Sequence, residues 1–128
     1  MIAGAVVAVL AAGGLGYALT RSAEPGFDSP EAIAALLEQR GAPCTDFEAG
    51  GDGRADKRGT CRADGQEIVI ATFGSRAEVE AHWERQVAAA ADNEAVGMVI
   101  GERWSISGPA RAYLRHAAEV LDAEYRAN

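Results

Sequence analysis

Glu67-Ile68-Val69-Ile70-Ala71-Thr72-Phe73 is the strongest strand pattern in the chain. Aliphatic and β-branched side chains in a run of this length are typical of a buried β-strand. The pair Asp64-Gly65 just before it is a tight-turn signal, so residues 58–62 are expected to form a neighbouring antiparallel strand. We therefore expect residues 67–73 to be the central strand of an antiparallel sheet.

Downstream of this strand the sequence predicts a helix, a hairpin and a second helix. Ser75 and Glu78 have the spacing of a capping box, and the helix that they begin carries an apolar stripe. Trp83 belongs to this stripe and is expected to lie against the sheet. Residues 96–100 and 103–107 are expected to form a hairpin. The last helix has an apolar face made of Leu114, Ala117, Ala118 and Leu121.

Upstream of the central strand, Ser29-Pro30-Glu31 begins a helix, because serine suits the N-cap and proline the first helical position. Gly41 and Pro43 end this helix, and a first strand is expected over residues 44–48. Short connections favour antiparallel neighbours. The sequence therefore predicts an α+β fold: a small antiparallel sheet of about five strands with helices packed on one face, preceded by an N-terminal apolar helix.

Residues 2–19 contain no charged side chain. Their length is close to the roughly 20 residues that span a bilayer, and it exceeds the apolar region of about 7–15 residues in a signal peptide. A membrane anchor is therefore favoured over a cleaved signal, and a buried helix is disfavoured because nothing downstream has an apolar face large enough to surround it. We divide the chain into an anchor or signal segment (1–20), a linker (21–28) and an α+β domain (29–128).

Cys44 and Cys61 are the two cysteines of the chain, and they fall in or beside the predicted strands of one hairpin. Such a pair behind a membrane-targeting segment indicates a disulfide. A redox-active pair and half of a zinc site are disfavoured by the wide spacing and by the lack of clustered histidines. We expect the domain to lie outside the cytoplasm, at the cell membrane or secreted. The alternative is a tethered domain facing the cytoplasm, which requires reduced thiols.

The chain carries 19 acidic and 12 basic residues, a formal charge of -7. An acidic surface repels nucleic-acid phosphates and anionic lipid headgroups, so nucleic acid is not expected as a partner. One short basic cluster is interpreted as solvated side chains of a hairpin rather than as an anion site; it comprises Arg54, Lys57, Arg58 and Arg62.

No arrangement of residues reaches the specificity of a catalytic, cofactor or metal motif. Glu78 and His82 have helical i to i+4 spacing, but two ligands do not make a metal site, so a surface pair is favoured. His116 is interpreted as part of a solvated helix face. The segment that begins at Ser105 lacks the glycine that a nucleophile elbow needs two residues before its serine. The sequence thus predicts no catalytic residue, no metal and no cofactor.

Glu102, Arg103 and Trp104, at the tip of the second predicted hairpin, are the candidate interaction residues. An aromatic ring beside charged groups can form a ligand or partner contact. Strand alternation favours a different interpretation, in which Trp104 faces the core while Arg103, Ser105 and Ser107 are solvated.

Five predicted elements follow one another along the chain: the strand with Cys61, the turn Asp64-Gly65, the aliphatic strand ending in Phe73, the capped helix and the hairpin Val99–Trp104. This order resembles a group of small actinobacterial secreted proteins and lipoproteins, over residues 44–121. The resemblance implies the compartment and the fold but no activity. The lipid-bearing cysteine of the lipoproteins has no counterpart in this sequence.

The leading functional hypothesis is a noncatalytic module outside the cytoplasm that binds a protein or envelope component and is held at the membrane by residues 2–19. The alternative is a small enzyme whose site assembles from scattered residues. Its candidates are Glu78, His82 and Arg103.

Overall fold

The computed structural model of the protein describes residues 27–50, 57–90 and 96–128. These residues form an α+β fold with three helices and six strands, which confirms the predicted fold class. Each end of each predicted strand lies within one residue of its observed position. The elements are α1 (Pro30–Gln39), β1 (Thr45–Ala49), β2 (Lys57–Ala63), β3 (Gln66–Thr72), α2 (Arg76–Ala89), β4 (Gly97–Ile100), β5 (Trp104–Gly108), α3 (Arg111–Leu121) and β6 (Glu124–Ala127).

The six strands form one antiparallel sheet in the order β1-β2-β3-β5-β4-β6. β3 lies in the interior of the sheet, between β2 and β5, as its aliphatic sequence predicts. The turn that joins β2 to β3 has positive φ at both central residues, 55° at Asp64 and 74° at Gly65. This is the backbone of a two-residue hairpin turn that matches the twist of its strands, so the predicted turn is confirmed.

Helices α1 and α3 pack on one face of the sheet. Ile33 and Leu37 of α1 and Leu114 of α3 are fully buried there, against Ile68 and Ile70 of β3. The hydroxyl of Tyr113 in α3 donates a hydrogen bond of 2.8 Å to the carbonyl oxygen of Ala42, just after α1. Burial raises the pKa of Tyr113 to about 12. The two helices therefore form one layer over this cluster of buried side chains, which we call the main core.

Helix α2 lies on the opposite face, so the prediction that the helices pack on one face is wrong. Val79 of α2 is buried with Ala71, Met98 and Ile100, whose side chains alternate with those of the main core. The half-buried Trp83 packs against this second cluster, which confirms its predicted place against the sheet. All four residues of β4 are buried, and a strand with two buried faces needs a cover on each side.

The predicted apolar helix over residues 2–19, and with it most of the segments 1–20 and 21–28, lies outside the described residues. None of the helices in residues 27–50, 57–90 and 96–128 is long and apolar enough to cross a membrane. Phe27 is the first described residue, and its ring stacks on Trp104 with 5.0 Å between centroids. Phe27 therefore packs against the main core.

Candidate functional site

An open groove of about 470 Å³ lies along β1, β2 and β3. The groove lies on the same face of the sheet as α2. No described helix packs on this part of that face, because α2 makes its apolar contacts with β3, β4 and the residues at their ends. The groove combines several polar side chains. It is lined by Asp46, Phe47, Glu48, Thr60, Cys61, Arg62 and Glu67.

Strand alternation brings the polar side chains of the groove to one face. Thr60 and Arg62 alternate with Cys61, which is 1% exposed and belongs to the main core. The register places Glu48 opposite Thr60, and Arg62 opposite Glu67, and directly opposed residues share a face of the sheet. These four side chains therefore lie on the face turned away from α1.

A β-bulge shapes the outer side of the groove. Thr45 pairs with Arg62 and Glu48 pairs with Thr60, so β1 has one residue more than β2 in this interval. Asp46 lies within the bulge and has a φ of 58°, a left-handed conformation that aspartate tolerates better than most residues. The extra residue bends the edge strand, and with it the rim of the groove.

The carboxylates of the groove have no side-chain partner among the residues that the structure describes. Within the described residues, Asp46, Glu48 and Glu67 form no ion pair and their side chains accept no hydrogen bond. The guanidinium of Arg62 donates instead to the carbonyl oxygen of Gly65, at 2.6 Å. Ionised carboxylates are acceptors only, so the groove offers acceptor groups and a local excess of negative charge.

Cys44 and Cys61 form a disulfide with 5.5 Å between their Cα atoms, which confirms the predicted pairing. Both cysteines are buried, and Cys61 also lines the groove. The bond fixes the start of β1 to the middle of β2, so it holds the edge strand that carries Asp46 and Glu48. Disulfides of this kind form and persist in oxidising compartments outside the cytoplasm.

The predicted interaction residues have different surroundings in the structure: Trp104 is buried, whereas Glu102 and Arg103 are exposed. Trp104 is 4% exposed and belongs to the main core, as strand alternation predicts. The side chain of Glu102 is 72% exposed and forms an ion pair of 3.5 Å with Arg76. Arg103 is exposed, and its backbone oxygen accepts a hydrogen bond from the Phe73 amide. A contact role for Glu102 and Arg103 stays a prediction.

Ser105 is fully buried, although strand alternation predicts it to be solvated beside Arg103 and Ser107. The physical reason is α2, which covers the face toward which Ser105 projects. The hydroxyl oxygen of Ser105 has no hydrogen-bond partner among the described residues.

Glu78, His82 and Arg103, the candidates for an enzyme site, are not joined by a hydrogen bond or an ion pair within the described part of the chain. A carboxylate oxygen of Glu78 accepts a hydrogen bond from the amide of Gly74 at 2.9 Å, which stabilises the start of α2. The ring of His82 lies against Phe73, with 5.2 Å between centroids. Glu78 and His82 thus each have a structural neighbour within the fold.

Within the described residues, no group of three or more His, Cys, Asp or Glu side chains is arranged to hold a metal ion. His116 lies on the exposed side of α3, as predicted, with its Nε2 atom 3.0 Å from the carbonyl oxygen of Gly41.

A network of ion pairs links α2 to the last strand. Glu80 lies 2.6 Å from Arg126 and 3.0 Å from Arg76, and Glu124 bridges the same two cations. Hydrogen bonds from Arg126, and then from Arg76, lower the pKa of Glu80 to about 2. The Arg126 guanidinium also lies 5.8 Å from the centre of the Trp83 ring. The i to i+4 pair Arg76–Glu80 could have been found in the sequence, whereas its partners on β6 required the fold.

The free energy of unfolding is expected to fall as the pH is lowered through about 6.5, because His82 is stabilised as the neutral form. Burial lowers the pKa of His82 below 6.5, and the positive charges of Arg85 and Arg58 lower it further. Its Nε2 atom is buried and has no hydrogen-bond partner in the described part of the chain. As the pH falls, His82 therefore takes up a proton at a higher pH in the unfolded chain than in the folded chain. The free energy of unfolding decreases between these two pH values.

Chemical denaturation at a series of pH values between about 7.5 and 5 tests this expectation. The variant His82→Gln should show a smaller loss of stability over this range than the unmodified protein. His116→Gln, a change at an exposed histidine, serves as the control and should keep the original dependence. A His82→Gln variant with an unchanged pH dependence would contradict the assignment.

Comparisons of the chain with protein-family models, with curated proteins and with solved structures find no match, so the resemblance to small actinobacterial secreted proteins stays a prediction.

Proposed function

We propose that this protein is a noncatalytic binding module outside the cytoplasm, which binds a protein or envelope component through the groove on β1, β2 and β3. The observation that carries the proposal is the groove itself. It combines a part of one sheet face on which no described helix packs with carboxylates that have no partner within the described residues. Charged side chains on the surface that form no ion pair or hydrogen bond within the fold can form these interactions with a second molecule.

Two further observations support the proposal. The disulfide between Cys44 and Cys61 agrees with a domain outside the cytoplasm. It also fixes the edge strand of the groove, and a binding surface on a rigid element loses less conformational entropy when a partner binds. Residues 2–19 would hold the domain at the membrane or direct its secretion.

Site-specific photo-crosslinking in the native host tests the proposed binding surface. A photoreactive amino acid at Thr60, which lines the groove, is expected to give a discrete crosslinked species. The same amino acid at Ala35, an exposed position on α1, is the control because it lies on the other side of the sheet. Identical adducts at both positions, or no adduct at Thr60, would contradict the proposed surface.

A further inference from the structure

We infer that the groove binds an extended peptide segment of a partner protein through lysine or arginine side chains of that segment. This inference rests on the proposed function and deepens it. Its starting point is a contrast between the two ends of the sheet. The carboxylates beside β6 are neutralised, since Glu80 and Glu124 each contact both Arg76 and Arg126.

The carboxylates of the groove are not paired with cations in this way within the described residues. Asp46, Glu48 and Glu67 are exposed and have no ion pair among the described residues. Arg62 lies directly opposite Glu67 in the register, yet its guanidinium is hydrogen-bonded to the Gly65 carbonyl oxygen. A partner that brings its own cations would complete the charge pairing that the fold leaves open.

The spacing of these carboxylates favours a chain of separated cations over a single ion. Glu48 and Glu67 lie on β1 and β3, which are separated by one strand, so their Cα atoms are about 10 Å apart or more. No group of three acidic, histidine or cysteine side chains among the described residues is close enough to hold a metal ion. In an extended peptide, side chains on one side repeat about every 7 Å, which allows successive basic residues to reach different carboxylates.

The partner segment is expected to lie across the face of the sheet rather than to extend the sheet at its edge. A peptide that adds as a further strand needs a regular row of backbone donors and acceptors along β1. The bulge at Asp46 interrupts this row, and bulges are a common protection of edge strands against such pairing. Side-chain contacts over the groove are therefore the main source of recognition.

Binding of a lysine-rich probe to the oxidised full-length protein tests the inference. The probe is a short fluorescein-labelled peptide that alternates lysine and serine, and binding is followed by fluorescence anisotropy at low salt. The double variant Glu48→Gln/Glu67→Gln is expected to raise Kd roughly three- to tenfold, the range for two exposed ion pairs. Raising the ionic strength should weaken binding to the unmodified protein as well.

The matched control is Glu31→Gln/Glu38→Gln, which removes the same charge from exposed positions of α1. Its Kd should equal that of the unmodified protein. An equal loss of affinity in the control, equal binding of a glutamate–serine peptide, or no binding of the lysine probe would each overturn the inference. A peptide in which every lysine is acetylated should not bind, and tight binding of that peptide would also overturn it.

The two proposals fail in different ways. If the Thr60 crosslink forms in the host but is unaffected by Glu48→Gln/Glu67→Gln, the groove is a binding surface and the inference about cations is wrong. If no crosslink forms at Thr60, the proposed function itself fails, whatever the lysine probe does.

Discussion

Replacing Trp104 with alanine is expected to lower the free energy of unfolding by roughly 3–5 kcal/mol, the usual cost of truncating a large buried aromatic residue. Trp104 is 4% exposed, and one side of its ring stacks on Phe27. The ring also lies so close to Gly101 that a side chain there would overlap it. Because neighbours enclose the ring on both sides, its removal leaves a cavity that the surrounding residues fill only in part. Equilibrium denaturation with urea measures the loss.

Trp83→Ala is the control for this prediction, because Trp83 is only half buried and packs at the margin of the second cluster. Its loss should be clearly smaller than that of Trp104→Ala. Gly101→Val provides an independent check, since the added side chain would displace the same indole ring. A Trp104→Ala protein that is no less stable than Trp83→Ala would contradict the role of Trp104 as an anchor of the main core.

Removing the disulfide with the double change Cys44→Ala/Cys61→Ala is expected to cost about 3 kcal/mol, as the chain-entropy model gives for a loop of this length. The two cysteines are separated by 17 positions in the sequence. For a domain of about 100 residues the corresponding fall in Tm is roughly 12–24 °C. Thermal unfolding of the oxidised protein and of the double variant measures it.

The matched control is the unmodified protein kept reduced in excess reductant, which should lose a similar share of its stability. A double variant as stable as the oxidised protein would contradict the stabilising role of the bond. The intact mass of protein recovered from its host, alkylated with and without prior reduction, tests the compartment at the same time. Thiols that react without reduction would contradict a location outside the cytoplasm.

The residues that could be predicted from the sequence are those whose structure is set by near neighbours. The turn at Asp64-Gly65, the N-caps at Ser29 and Ser75 and the end of α1 at Gly41 each depend on local backbone preferences. The strand pattern of residues 67–73 is equally local. These features therefore appear in the structure at or within one residue of their predicted positions.

The features that were missed depend on contacts between distant parts of the chain. β6 is a strand of four residues, Glu124–Ala127, and its extended form depends on its pairing with β4 and on the ion pairs of Glu124 and Arg126 with α2. The position of α2 on the second face could have been inferred from β4, since Gly97–Ile100 is apolar without alternation, a pattern that indicates burial on both faces.

The groove could not be predicted from the sequence, because it depends on the register between β1 and β2. The bulge adds one residue to β1 between Thr45 and Glu48, and a sequence pattern does not show which strand carries an extra residue. The polar character of Thr60 and Arg62 was visible. The turn at Asp64-Gly65 places Arg62 opposite Glu67, whereas the position of Glu48 opposite Thr60 depends on the bulge.

The strand order β1-β2-β3-β5-β4-β6 also has a consequence for the order in which the molecule folds. The first three strands come from one continuous half of the chain and the last three from the other. Within the sheet, the two halves meet where β3 pairs with β5, between residues 69–72 and 104–107. Closing this seam requires a long loop that contains α2, which costs more entropy than either hairpin. The seam is therefore expected to form late in folding, and its amides should exchange with solvent only when the two halves separate.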